Sequence, residues 1–191
     1  MSSLQPPPKK QYLYIWIDIL GFSDSISDEG RYAELIDLVT KFRDKFENVS
    51  GIEKIINISD GIVIIKEAKG RVDIESFFKE LGNKQLEFVK ENNHYLRGGI
   101  GLGTLSEAAN NLHENEDLKY LVSNGLTKAY SLEEKFVSYP VIGTDEETLE
   151  KLKKLPLVND DRESFGLEKC YSEYSNNNKP LYFIDFIDND E

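Results

Sequence analysis

Two carboxylates carry the chemical interest of this chain. Asp18 closes an apolar, strand-like run from Tyr12, just before the turn Leu20-Gly21-Phe22, and Asp60 stands in the tight turn Ser59-Asp60-Gly61 between two further apolar runs. Singly, each has an ordinary structural reading. An aspartate at a strand end caps the helix that follows, and an aspartate before glycine is a common turn residue. The pair is different. If the first strand and the hairpin are neighbours in one sheet, both carboxylates project at the same edge, an unfavourable arrangement unless a cation lies between them. Mg²⁺ or Mn²⁺ suits such a pair, being hard ions that prefer oxygen and take phosphate oxygens in their remaining positions. The chemistry this points to is phosphoryl or nucleotidyl transfer, with one metal activating an attacking hydroxyl and a second neutralising a triphosphate. The backbone N–H groups of Ile19, Leu20, Gly21, Phe22 and Ser23 follow Asp18 directly and are candidates to cradle phosphates, with Gly21 allowing close approach. Phe22 is expected to pack the turn onto the core.

The elements that must position this pair are legible from periodicity. Tyr12 to Asp18 is a buried strand, and Tyr32, Leu35, Ile36, Val39, Phe42 and Phe46 recur at helical spacing after a start near Ser27. Two strands, Glu53 to Ile58 and Gly61 to Lys66, form a hairpin. A second amphipathic helix carries Ile74, Phe77, Phe78, Leu81 and Phe88 and ends near Asn92, and a glycine-rich strand runs from Tyr95 to Gly103. The string is βαββαβ, the order of a ferredoxin-like or palm core in an α+β fold. A helix from Asn124 to Val137, a short strand from Pro140, a helix from Asp145 and a last strand, Pro180 to Ile187, are added at the C-terminal end. Asp160 to Asn178 reads as irregular. The domain reading is a loose leader (1–11), one domain (12–187) and an acidic tail (188–191).

Arg97, Gly99, Gly101 and Gly103 alternate along the fourth strand and so share one face. A bare face of this kind admits a close-packed helix, a partner subunit or a nucleotide, and the three are left open by the pattern. Arg97 is a cation able to offset charge beside the carboxylates.

Bulk properties narrow the partners. The chain has 191 residues and a net charge of -12, which argues against nucleic acid, since phosphate binding needs a dense basic surface. The single cysteine, Cys170, rules out an intrachain disulfide, and with only His94 and His113 beside it little remains for a zinc site. No apolar stretch is long enough to span a membrane, and the proline-containing start lacks the apolar centre of a signal peptide. A cytoplasmic protein is expected.

Asp18-Ile19-Leu20-Gly21-Phe22 resembles the first metal motif of class III nucleotide cyclases, and Ser59-Asp60-Gly61 the second. Leu96 to Gly103 resembles that family's glycine-containing strand, and Gly125 to Glu133 the helix that carries its transition-state residues. The four motifs stand in the family's order from Tyr12 to Gly143. Within the family, the compact pyrimidine cyclases of Pycsar anti-phage defence are most similar in length and motifs. The resemblance implies a nucleoside triphosphate substrate, UTP ahead of CTP, converted to a 3′,5′-cyclic mononucleotide and pyrophosphate. It implies two Mg²⁺ or Mn²⁺ ions contacted by Asp18, Ile19 and Asp60, and a head-to-tail homodimer with active sites at the subunit interface.

The sequence departs from the family at four positions. The usual Asn and Arg of the last helix are Thr127 and Ser131, so the transferred phosphate lacks its customary cation there; Lys128 or Arg97 is the substitute at hand. The purine-reading positions are Ile56 and Val122, apolar residues that cannot bond a purine edge. These departures fit a different base. They also fit an alternative of another class, a catalytically degenerate module that binds a nucleotide or a protein.

Overall fold

The structure, a computed structural model, describes residues 10–22, 29–104, 123–135, 139–156, 171–176 and 179–184. Its strands are β1 (Tyr12–Ile19), β2 (Lys54–Ile58), β3 (Gly61–Glu67), β4 (Leu96–Gly103), β5 (Ile142–Asp145), β6 (Tyr171–Asn176) and β7 (Lys179–Ile184). Its helices are α1 (Tyr32–Glu47, entered through a 3₁₀ turn at Glu29–Arg31), α2 (Arg71–Asn92), α3 (Asn124–Lys135) and α4 (Glu146–Lys153). The strands form one sheet in the order β2-β3-β1-β4-β5-β7-β6, so the first four reproduce the palm arrangement expected from the βαββαβ string. β6 falls within the stretch read as irregular. Its residues, Tyr171-Ser172-Glu173-Tyr174-Ser175-Asn176, carry no apolar alternation strong enough to mark a strand, and it exists as the edge partner of β7.

Alternation along β1 divides the molecule. Leu13, Ile15, Ile17 and Ile19 are all at most 1% exposed and face the larger core, where Phe42 and Phe46 of α1, Phe77, Phe78, Leu81 and Phe88 of α2, and Leu149 and Leu152 of α4 meet them. Tyr12, Tyr14 and Trp16 face the other way, into a smaller cluster with Val63, Ile65, Ile56, Ala129 and Leu126. Of the described helices, only α3 packs in that second cluster. Asp18, next in the same alternation, belongs to this second face.

The glycines of β4 explain how α3 lies there. A Cβ at Gly99 would collide with the carbonyl oxygen of Ala129, one at Gly101 with that of Gly125, and one at Gly103 with the Asn124 side chain. The stripe is therefore a bed for a helix, which decides among the three occupants left open by the sequence. Among the described residues, no helix is long and apolar enough to cross a membrane.

Candidate active site

β1 is central, with β3 on one side and β4 on the other. Asp18 is opposite Gly61 in the first ladder and opposite Arg97 in the second. Asp60 precedes Gly61 in a two-residue turn closed by the Ile58–Gly61 pair. Its other turn residue, Ser59, sits at φ 55°, a left-handed conformation costly for a residue with a Cβ, which fixes where the turn points. The two carboxylates expected to converge are thus brought to one end of adjacent strands. Asp18 is 9% exposed and Asp60 half-buried.

Arg97 reaches Asp18 with two nitrogens: Nε donates to Oδ1 at 3.0 Å and Nη2 to Oδ2 at 3.0 Å, a bidentate pair. The same Nε is 2.7 Å from Oε1 of Glu133 on α3. Glu133 is 4% exposed, and its Oε1 receives no hydrogen bond despite that approach. The site is thus a row of Asp60, Asp18, Arg97 and Glu133. Burial pushes the Asp18 carboxyl above the usual carboxylate range, the Arg97 hydrogen bonds and charge pull it back, and the charge of Asp60 pushes it up again. Burial also raises Glu133, and the charge of Asp18 adds to that. Three acids beside one guanidinium leave a negative excess, which suits a cation. Two aspartates are few ligands for an all-protein cage, but Mg²⁺ characteristically keeps water and substrate oxygens beside one or two carboxylates. Among the described residues no group of three or more acidic, histidine or cysteine side chains is placed to hold a metal ion; a Mg²⁺ or Mn²⁺ ion here would draw on Asp18 and Asp60 and take water and substrate oxygens in its remaining positions.

The other expected positions fall differently. Ile19 has its side chain in the larger core, 1% exposed, so only its backbone can meet a metal. The N–H of Leu20, expected to face a phosphate, donates instead to the Tyr95 carbonyl at 2.9 Å, because the β1–β4 pairing continues one step beyond the strand. Gly21 is exposed at φ 79°, the left-handed region that favours glycine. Phe22 packs into the larger core, as expected. Ser23 and Val122 lie outside the described residues, as do Cys170 and His113. Ile56 is half-buried on the same sheet face as Asp18, paired with Val63. Thr127 is exposed on α3, with its hydroxyl donating to the Ser123 carbonyl at 3.3 Å. It lies six residues, roughly 9 Å of helix rise, before Glu133.

Lys128, a substitute cation by sequence, is engaged elsewhere: its Nζ is 2.8 Å from Glu147 and 3.0 Å from Asp145, at the start of α4. Hydrogen bonds from Lys128 and Lys151 lower the Glu147 pKa from 4.5 to about 2. A carboxylate so depressed stabilises the fold above its unfolded pKa, and that contribution fades as pH falls toward 2. A carboxylate-detected NMR titration is expected to place the Glu147 midpoint near 2, and Lys128→Met to move it back toward the ordinary value. Glu133 is buried against Arg97. Tyr130, three residues earlier on α3, is 50% exposed and edge-on to Trp16. The signal for Glu133 was present: with Gly125 and Ala129 inward, the next turn of the helix brings position 133 inward too.

The fold is that of nucleotide cyclase domains. The adenylyl cyclase CyaB from P. aeruginosa superposes with a TM-score of 0.61 at 14% identity, covering 93% of this chain and 95% of that one. A bacterial light-regulated adenylyl cyclase gives 0.62 at 11% identity, with 94% and 92% covered. The guanylyl cyclase Cya2 gives 0.57 at 16%, with 93% and 92% covered. At these identities the likeness is one of fold. The sequence matches no protein-family model and no curated protein.

Proposed function

We propose that the chain is a nucleotide cyclase, converting a nucleoside triphosphate to a 3′,5′-cyclic mononucleotide and pyrophosphate. The observation that carries this reading is the placement of Asp18 and Asp60 at one end of β1 and β3, within a fold shared with adenylyl and guanylyl cyclases. In the reaction, the substrate 3′-oxygen bonds to the α-phosphorus, the bond from that phosphorus to the bridging oxygen breaks, pyrophosphate departs, and the hydroxyl proton passes to water. Two divalent ions, when bound, would lower the pKa of that hydroxyl and neutralise the triphosphate. Asp18 and Asp60 would hold them, the Ile19 backbone would be a further contact, and Gly21 would let the phosphates approach the turn. Arg97 is the cation beside the reacting groups. The base is a pyrimidine, UTP ahead of CTP. Half-buried, apolar Ile56 on the site's own face, together with the Pycsar-type motifs, supports that choice, and the same motifs support a role in anti-phage signalling. The partly exposed second face, with Tyr130 and Ile58 at 50% and 46% exposure, supports a homodimer closed over this face.

Purified protein incubated with Mn²⁺ and each of the four nucleoside triphosphates, with products resolved by mass, tests the reading. One cyclic mononucleotide is expected, from UTP. Intact triphosphate under every condition, with nucleotide still bound, would favour the degenerate module. Thr127 and Ser131 give that alternative its support, since neither supplies the customary cation.

A further inference from the structure

Arg97 and a metal ion compete for the same oxygens. Both oxygens of Asp18 accept from the guanidinium at 3.0 Å, and these are the oxygens a divalent ion would need. Arg97 cannot simply withdraw. Its side chain is 22% exposed, and a guanidinium stripped of its partner at that depth is strongly destabilising. A dication placed at Asp18 with Arg97 still in place would also set like charges side by side.

Glu133 resolves this conflict. Its side chain is 5% exposed, and Arg97 is the cation paired with it among the described residues. One oxygen lies 2.7 Å from Arg97 Nε yet receives no hydrogen bond. It is an acceptor already within reach and not yet used. Its position is fixed by the backbone: a Cβ at Gly99, two residues along β4 from Arg97, would stand 2.9 Å from the Glu133 nitrogen. The helix bed therefore delivers this carboxylate to within 2.7 Å of Arg97 Nε, the nitrogen that also donates to Asp18. We infer that Glu133 is a positioning residue that keeps hold of the Arg97 guanidinium when a divalent ion takes Asp18, so that metal occupancy breaks the Asp18–Arg97 pair and leaves the existing Arg97–Glu133 ion pair to gain the hydrogen bond it lacks. The inference rests on Asp18 being a metal ligand, as proposed above.

The test is Mn²⁺ affinity of the full chain without nucleotide, read from the electron paramagnetic resonance signal of free Mn²⁺, with thermal melts confirming folding. Glu133→Gln is expected to weaken binding about tenfold, the lower end for loss of an outer-shell partner. Arg97→Gln is expected to bind more tightly than wild type, its Asp18 being free. The double variant decides the mechanism. If Glu133 acts through Arg97, adding Glu133→Gln to Arg97→Gln changes affinity by less than about twofold, the coupling a mutant cycle isolates. An equal loss in both backgrounds would reduce Glu133 to a plain negative charge and overturn the inference. So would wild-type affinity in Glu133→Gln alone. Should that variant fail to fold, Glu133→Asp, which keeps the charge but shortens its reach, is expected to weaken binding in the same direction, and unchanged affinity there overturns the inference equally. A wild-type chain that binds no Mn²⁺ would instead remove the metal reading itself, a distinguishable result.

Discussion

Asp60→Asn is expected to lower turnover of the nucleoside triphosphate by roughly 10²-fold or more, the scale of losing a group that stabilises developing charge, and to leave the melting temperature close to that of wild type. The contrast between the two readouts is the content of the prediction. Asp60 is half-buried in a two-residue turn, and nothing in the described core is built on its carboxylate. Asparagine keeps the size and the turn preference and removes only the charge. Turnover read by mass and stability read by thermal melting check it together, and turnover within a few-fold of wild type would remove Asp60 from the machinery.

Asp18 gives the useful comparison, because the same substitution there strikes a different network. Asp18→Asn breaks a bidentate pair whose two side chains are 13% and 22% exposed. Removing one partner of a buried pair costs about 3–5 kcal/mol when the other is stranded. Glu133 lies 2.7 Å from the same guanidinium and softens that loss. Asp18→Asn therefore loses activity as Asp60→Asn does, and loses stability as well. The two aspartates share one proposed role in chemistry and have unequal roles in the fold.

What was legible in the sequence follows from where the signal is local. β1, the hairpin, α2 and the βαββαβ order rest on periodicities of two and 3.6 within short windows, and the structure has them to within a residue or two. The meeting of Asp18 with Asp60 required only the order of strands, which palm topology supplies. Three things were not legible. β6 is a polar edge strand made by its partner, so nothing in its own residues announces it. The row through Arg97 to Glu133 depends on the seating of α3. The glycines told that something comes close to β4 without telling what, and only once α3 is laid on them does the inward row of Gly125, Ala129 and Glu133 lead to Arg97. Similarly, the sequence does not show that pairing with Tyr95 runs past the strand end and engages the N–H of Leu20.

That seating also carries the largest expected effect on stability. Gly101→Ala places a Cβ on the carbonyl oxygen of Gly125, with the Ala129 nitrogen and the Gly125 carbonyl carbon each 3.0 Å away. All three atoms are backbone, so no side chain can rotate aside, and relief comes only by lifting α3 from the sheet. Overpacking of this kind costs about 3 kcal/mol or somewhat more, at or beyond the upper end of the usual range because the obstacle is rigid. For a chain of this size that is roughly a 6–12 °C fall in melting temperature, whereas Thr127→Ala on the exposed face of the same helix is expected to shift it by no more than a degree or two. Gly101→Val should exceed Gly101→Ala, since its two methyl groups meet the same backbone. The displacement has a second consequence: α3 carries Glu133, so a helix lifted from β4 draws that carboxylate away from Arg97. Gly101→Ala is therefore expected to weaken Mn²⁺ binding even at temperatures where the chain is fully folded. A melt within about 2 °C of wild type would mean that α3 does not lie on this stripe, and Glu133 would then no longer stand where the site requires it.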